Sequence, residues 1–213
     1  MLSKSKFILY LRCPKAYEYY YVKNNEMIET EAMKKGKQTH EFIENFFRRL
    51  EFNDGQPVFP DVSNELHFIQ NFISFEKKRW KATQNIEEYM PIALEKKYVS
   101  EKLEMNGIVD RIHKNGSDII IIENKCSAPF MSTLLDLELL FYKVLTDEFN
   151  INANSYAVYF ATNNTVQIRN ITSQKMVMIN NAINKVKEGI KNQEFECEKE
   201  NCLHERVHEN FIG

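Results

Sequence analysis

Two apolar runs separated by a short polar segment constrain the fold of this chain more than any other feature. Gly107–Ile112 and Ile119–Lys125 are rich in β-branched residues, and Lys114-Asn115-Gly116-Ser117 lies between them. An Asn-Gly pair between such runs is the strongest short-range signal for a tight β-hairpin. We therefore predict two paired strands, at about 102–113 and 117–126.

Pairing across this turn gathers charged side chains at one end of the predicted hairpin. Asp110 on the first strand comes near Glu123 and Lys125 on the second. Side chains two positions apart in a strand point to the same face, so Glu123 and Lys125 share one face. A buried cluster of two carboxylates and one ammonium group is costly unless the charges pair or bind a metal.

The residue types in this cluster suit a hydrolytic metal site. Carboxylate oxygens are the ligands that Mg²⁺ and Mn²⁺ prefer, so we interpret Asp110 and Glu123 as ligands of such an ion. The ion would activate a water and neutralise charge on a phosphodiester, while Lys125 would stabilise the transition state or orient that water. The alternative is a structural salt bridge between Lys125 and one carboxylate, because this pattern alone arises easily by chance.

Four short sequence blocks follow one another over residues about 5–142. They are Ser5–Tyr17 with its Cys13-Pro14 pair, Gly36-x-x-x-His40, Gly107-x-x-Asp110 with Glu123-x-Lys125, and Glu138-x-x-x-Tyr142. In this combination the chain resembles the PD-(D/E)-x-K nuclease superfamily, specifically the RecB-like branch that includes the CRISPR-associated RecB-type exonucleases. The resemblance implies a DNA nuclease that uses Mg²⁺ or Mn²⁺.

The resemblance also implies roles for individual residues. The implied metal ligands are His40, Asp110, Glu123 and the carbonyl of Asn124. The implied catalytic residues are Asp110, Glu123, Lys125 and Tyr142, where Tyr142 would support Lys125 or the DNA backbone.

Candidates for substrate binding lie next to these motifs. Lys34, Lys35 and Lys37 precede His40 and could line a DNA groove, although a charged helix segment is more often a solvated face. Glu138 stands where the branch commonly carries glutamine, and a carboxylate cannot donate the amide hydrogen bond that glutamine offers to a phosphate.

The remaining periodicities predict long helices on either side of the strands. Helices are expected at about 3–21, 31–50, from Ser63 as N-cap to 81, 132–148 and 173–192, and further strands at 92–100, 155–162 and 166–170. This order favours an α/β fold, with a central mixed β-sheet flanked by helices and a restriction-endonuclease-like core. Glu95, on the first of these strands, is interpreted as a surface acid.

Composition is consistent with one sizeable domain. The chain has 213 residues, of which 43% are hydrophobic and 27% charged. We predict a single domain over 1–213, with a helical N-terminal part at about 1–85 and a flexible tail at about 194–213. No signal-like or long apolar run occurs, which favours a cytoplasmic protein with no membrane partner.

Three cysteines raise the question of a structural metal. Many RecB-like enzymes hold an iron–sulfur cluster with one N-terminal and three C-terminal cysteines, and Cys13, Cys197 and Cys202 match three of these places. The fourth cysteine is missing, although His204 or His208 could complete a zinc site. The alternative is that Cys13 packs as a small hydrophobic residue. We do not favour a cluster or zinc, and we predict colourless, zinc-free protein.

Two functional hypotheses follow. The first is a metal-dependent DNA nuclease that acts on single-stranded DNA or DNA ends. The second is a nucleic-acid-binding or assembly subunit in which the nuclease fold is vestigial. A net charge of −2 keeps the second hypothesis open, because phosphate binding usually leaves a basic signature.

Overall fold

A computed structural model describes residues 1–197 of the chain. Within this range the strands are β1 Leu2–Ser3, β2 Phe52–Asn53, β3 Gln56–Pro57, β4 Ala93–Ser100, β5 Met105–Asn115, β6 Asp118–Lys125, β7 Ser155–Phe160 and β8 Thr165–Asn170. The α-helices are α1 Lys4–Arg12, α2 Pro14–Tyr17, α3 Glu31–Arg49, α4 His67–Thr83, α5 Ile86–Tyr89, α6 Thr133–Asp147 and α7 Ser173–Lys191, and Glu18–Val22 is a π-helix.

The centre of the fold is a six-stranded mixed sheet. Its order is β1-β5-β6-β7-β8, and β4 also pairs with β5. The pairs β1/β5 and β6/β7 are parallel, and the others in this sheet are antiparallel. The predicted α/β fold with a central mixed sheet is confirmed.

Helices cover both faces of the sheet. Alternate residues of β7 enter different apolar clusters: Tyr156 and Val158 pack with residues of α1, α6 and α7, whereas Tyr159 packs with residues of α3 and α4. Because successive strand side chains point to opposite faces, a strand buried on both faces reads as a continuous apolar run. None of the described helices is long and apolar enough to cross a membrane.

The predicted hairpin is present as β5 and β6. Its ladder runs from Arg111 opposite Ile122 to Asn115 opposite Asp118, so Gly116 and Ser117 form the loop. Gly116 has φ of +58°, a conformation that glycine adopts without steric cost and that two-residue hairpin loops require.

Beyond Arg111 and Ile122 the two strands of the hairpin diverge. β6 continues alongside β7 as far as Lys125 opposite Phe160. On the edge of β5 that β6 leaves, the short β1 pairs through Leu2 opposite Met105, while β4 pairs along the other edge from Met105 to Ile112. We call the opening between β5 and β6 the fork. Because α1 begins directly after β1, the start of this helix lies at the fork.

The N-terminal helix is shorter than predicted. α1 ends at Arg12, Cys13 is extended with φ of −159°, and α2 begins at Pro14. Proline has no backbone N–H to continue the helical ladder, but it suits the first position of a new helix.

Cys13 lies in a small cluster that joins the two ends of the described chain. Its Sγ accepts a hydrogen bond from the backbone N–H of Ala16 at 3.3 Å, and Cys197 packs against the same cluster. Cys202 lies outside the described residues, as do His204, His208 and most of the predicted tail. The preference against a cluster or zinc at these cysteines therefore stays a prediction.

The prediction that the third helix starts at Ser63 is wrong. α4 begins at His67, and Leu66 occupies the N-cap position without a side-chain hydrogen bond. Ser63 belongs instead to a turn in which its backbone N–H donates to Asp61 Oδ1 at 3.0 Å. A local Asp turn thus replaces the helical cap expected at Ser63.

Candidate active site

The fork opens into a cavity of about 1110 Å³ between the sheet, the start of α1 and the first half of α3. Of the predicted site residues, Lys35, Lys37, His40, Asp110, Glu123, Asn124, Lys125 and Tyr142 line it. Tertiary structure therefore brings together residues from motifs that are far apart in the sequence. Neither Lys34 nor Glu138 lines the cavity, but Glu138 Oε1 lies 2.9 Å from Lys125 Nζ.

Asp110 is held in the fork by the neighbouring strand. Its Oδ2 accepts hydrogen bonds from the backbone N–H of Asn124 at 2.8 Å and from Asn124 Nδ2 at 3.3 Å. The buried Arg111 orients the Asn124 amide by donating to its Oδ1 at 2.8 Å, and it also pairs with Glu76 of α4 at 3.0 Å. The parting of β5 from β6 leaves the Asn124 N–H free to bind a carboxylate.

Three potential metal ligands, one of them Asp110, lie close together in the fork. His40 Nδ1 is 3.2 Å from Glu95 Oε1 and 3.5 Å from Asp110 Oδ2. One ligand atom from each of His40, Glu95 and Asp110 lies within 4.8 Å of the others. Carboxylate oxygens with an imidazole suit a divalent cation such as Mg²⁺ or Mn²⁺, with Mn²⁺ accepting the nitrogen more readily.

The interpretation of Glu95 as a surface acid was wrong. Its side chain is 17% exposed and faces the cavity. On β4, Leu94 pairs with Arg111 and Lys96 with Val109, so Glu95 lies opposite Asp110. Glu95 has φ of +43°, which is unusual for a residue in a strand. The register of β4 against β5 decides this position, and no local pattern in the sequence specifies that register.

The charges in this group shift the pKa values of His40 and Asp110. Burial opposes the charged form of His40, but Glu95, Asp110 and Glu123 together raise its pKa to about 9. Burial, together with the charge of Glu123, raises the pKa of Asp110 to about 7. A cation that binds His40 at neutral pH must therefore displace a proton from it.

Glu123 and Glu138 share two lysines, Lys4 and Lys125. Lys125 Nζ is 2.7 Å from Glu123 Oε1 and 2.9 Å from Glu138 Oε1. Lys4 Nζ is 2.5 Å from Glu138 Oε1 and 3.3 Å from Glu123 Oε1. Burial opposes the ionisation of Glu123, but Lys4 and Lys125 hold its pKa below the ordinary range. The sequence allowed a simple salt bridge between Lys125 and one carboxylate. The structure has instead a cluster of four charged side chains, which we call the four-charge cluster.

The second oxygen of Glu123 has no partner in this cluster. Within the described part of the chain, the buried Oε2 makes no hydrogen bond. A buried carboxylate oxygen without a partner is costly, and a cation would satisfy it. This oxygen and the three-residue group around His40 fit the divalent metal that the predicted motifs imply.

Tyr142 lies against the first half of β5. A Cβ atom at Gly107 would come within 2.9 Å of Tyr142 Cε1, so glycine makes room for the ring. Lys4 Nζ lies 5.5 Å from the centre of the same ring. The role predicted for Tyr142, support of Lys125 or of the DNA backbone, stays a prediction.

Comparison with known proteins identifies the family. A family model of the PD-(D/E)XK nuclease superfamily matches residues 1–205. The chain belongs to the PD-(D/E)XK nuclease superfamily. No curated protein matches it. The superfamily prediction is confirmed, whereas membership of the RecB-like branch stays a prediction.

The fold of this PD-(D/E)XK chain is similar to a solved structure. The crystal structure of a protein from Eubacterium rectale, provisionally described as an exonuclease, matches with a TM-score of 0.55. The sequences are 10% identical, and the match covers 95% of this chain and 86% of the other. At this identity the similarity concerns the fold alone.

Three charged residues of this PD-(D/E)XK site were not predicted as part of it. Lys4, Glu95 and Lys97 all line the cavity. Lys4 precedes the first predicted block, and Glu95 and Lys97 belong to a strand with no recognised motif. Only the pairing of β1 and β4 with β5 brings them to the fork.

Proposed function

We propose that this PD-(D/E)XK protein is a metal-dependent nuclease that hydrolyses phosphodiester bonds in DNA. One observation carries the proposal: His40, Glu95 and Asp110 present ligand atoms within 4.8 Å of one another, in a cavity that is also lined by Lys125 and by Glu123 with its unpartnered Oε2. Hydrolysis of a phosphate ester is promoted by a bound divalent cation together with a fixed positive charge that stabilises the transition state, and this site offers ligands for the first and a lysine for the second.

The proposed ligands are His40, Glu95, Asp110 and Glu123, with the carbonyl of Asn124 as the family resemblance implies. Mg²⁺ or Mn²⁺ bound there would supply Lewis-acid stabilisation of phosphate charge and would lower the pKa of a water.

The remaining site residues hold and complement these ligands. Arg111 and Asn124 fix the orientation of Asp110 through the hydrogen bonds described above. Lys125 lies at the cavity wall, where its ammonium stabilises negative charge on a phosphate oxygen or orients the attacking water.

The charge around the cavity supports a polyanionic substrate. Lys35, Lys37 and Lys97 are exposed side chains that line its outer part. Positive side chains that surround a cleft attract a phosphate backbone even when the net charge of a protein is near zero. We propose single-stranded DNA or DNA ends as the substrate.

A nuclease assay tests the proposed function. End-labelled linear and circular single-stranded DNA are incubated with purified protein in Mn²⁺, in Mg²⁺ and in EDTA. We expect cleavage with either metal and none in EDTA. Shortening of linear DNA with intact circles indicates an exonuclease, and linearised circles indicate an endonuclease. DNA binding without cleavage in either metal would contradict the proposal and favour a binding subunit with a vestigial site.

The raised pKa values predict that metal binds more tightly as pH rises. A cation must displace the proton of His40, whose pKa is about 9, and that of Asp110, whose pKa is about 7. Between pH 7.5 and 8.5, where His40 is the group still protonated, the Mn²⁺ affinity should increase by up to about tenfold per pH unit, and the dependence should be steeper below pH 7. Calorimetric titration in buffers of different ionisation enthalpy measures both the affinity and the protons released.

Two variants identify the histidine responsible. His40→Gln should weaken Mn²⁺ binding and reduce proton release, because one ligand and its proton are removed. His67→Gln, at an exposed histidine of α4, should behave as wild type. Normal affinity and proton release in His40→Gln would show that His40 is not a ligand.

A further inference from the structure

We propose that Lys4 is a positioning residue of the active site: it neutralises Glu138 and so leaves Lys125 paired with Glu123. The inference rests on the nuclease function proposed above and assigns a role to a residue outside the predicted motifs. Lys4 is the first residue of α1, and the pairing of β1 with β5 places it at the fork. Its side chain is 21% exposed and lines the cavity.

The distances show which carboxylate Lys4 contacts most closely. Lys4 Nζ is closer to Glu138 than to Glu123, at 2.5 Å against 3.3 Å. Lys125 Nζ lies within hydrogen-bond distance of both carboxylates, at 2.7 Å from Glu123 and 2.9 Å from Glu138. With Lys4 held mainly by Glu138, the charge of Lys125 is left to balance that of Glu123.

Burial makes this division important. The side chains of Glu123 and Glu138 are only 3% and 10% exposed, so water screens their charges weakly. With Lys4 removed, two buried carboxylates would compete for the single ammonium of Lys125. Glu138 would then draw Lys125 away from Glu123, and the cluster would carry an uncompensated negative charge. Because Lys125 is the proposed catalytic cation, its displacement would slow the reaction.

The alternative role for Lys4 is purely structural, in which it holds α1 against the sheet. The two roles differ in the effect of neutralising Glu138. A structural role predicts that loss of Lys4 is harmful whatever residue stands at 138. A positioning role predicts that the loss is harmful only while Glu138 carries a charge.

A double-mutant cycle separates these roles. The kcat and KM for DNA cleavage in saturating Mn²⁺ are measured for wild type, Lys4→Met, Glu138→Gln and the double variant. We expect Lys4→Met to lower kcat by about tenfold with little change in KM, and the double variant to lie within about threefold of Glu138→Gln. Lys6→Met, on the same helix but stacked over Tyr21, is the matched control and should behave as wild type.

The outcome that overturns the inference is additivity, in which the double variant shows the product of the two single losses. If Lys4→Met alone does not fold, the same comparison is made on the Glu138→Gln background. There, a loss below about threefold on removing Lys4 supports the inference and a tenfold loss overturns it. Wild-type protein that cleaves no DNA would overturn the proposed function and this inference together, whereas additivity in an active enzyme overturns the inference alone.

Discussion

Replacing Asp110 by asparagine should reduce metal-dependent DNA cleavage by about 10³-fold or more. Asp110 combines a place in the three-residue ligand group with a buried position in the fork. Loss of its charge removes a ligand whose contribution to transition-state stabilisation is worth several kcal/mol. Asparagine keeps the size of the side chain and an oxygen that accepts the hydrogen bond from Asn124, so the fold should persist.

The measurement is single-turnover cleavage in Mn²⁺, with circular dichroism and denaturant unfolding to verify the fold. Asp118→Asn is the matched control, because Asp118 lies on the same hairpin but is exposed and binds Asn154. It should cleave as wild type does. Undiminished cleavage by Asp110→Asn, or by Asp110→Ala, in a preparation free of other nucleases would show that this fork is not the active site.

Replacing Lys125 by methionine should lower kcat by about 10²–10³-fold while Mn²⁺ affinity changes little. The ammonium of Lys125 lies at the cavity wall beside Glu123 but is not itself a metal ligand. A fixed positive charge aimed at developing negative charge typically contributes an effect of this size. Cleavage rates at saturating Mn²⁺ and calorimetric Mn²⁺ titration measure the two quantities separately.

Lys114→Met controls for the loss of a lysine from the same hairpin, because Lys114 is exposed near the turn. A fall in Mn²⁺ affinity large enough to account for the lost activity would contradict a catalytic role for Lys125. In that case Lys125 would act only by holding Glu123 in place.

The local sequence was sufficient to predict the β5/β6 hairpin. Two β-branched runs around an Asn-Gly pair leave few alternatives, and Gly116 adopts the positive φ that the turn needs. Apolar residues at helical spacing likewise predicted α3, α6 and α7 to within a few residues. These elements are specified by interactions between residues close in the chain, which a single sequence displays.

The start of α4 and the break at Cys13 were predicted less well. At Ser63 an Asp61 turn competed with a helix cap, and two such hydrogen-bonding patterns are similar in sequence. At Cys13 the proline that follows ends α1, whereas the sequence periodicity predicts one helix over about 3–21. Both differences come from local competition between polar or proline residues and the helix.

The residues of the candidate site likewise fall into two groups, those that local sequence predicts and those that only strand pairing places. By itself, the sequence determined the hairpin and the motifs of His40, Asp110, Glu123 and Lys125, because each depends on short-range spacing. Only the tertiary structure placed Glu95 and Lys4 among them, since both arrive through strand pairings whose register is set by the whole sheet. The divergence of β5 from β6 also required the tertiary structure, because β7 and β1 pair with strand edges that the isolated hairpin would leave open.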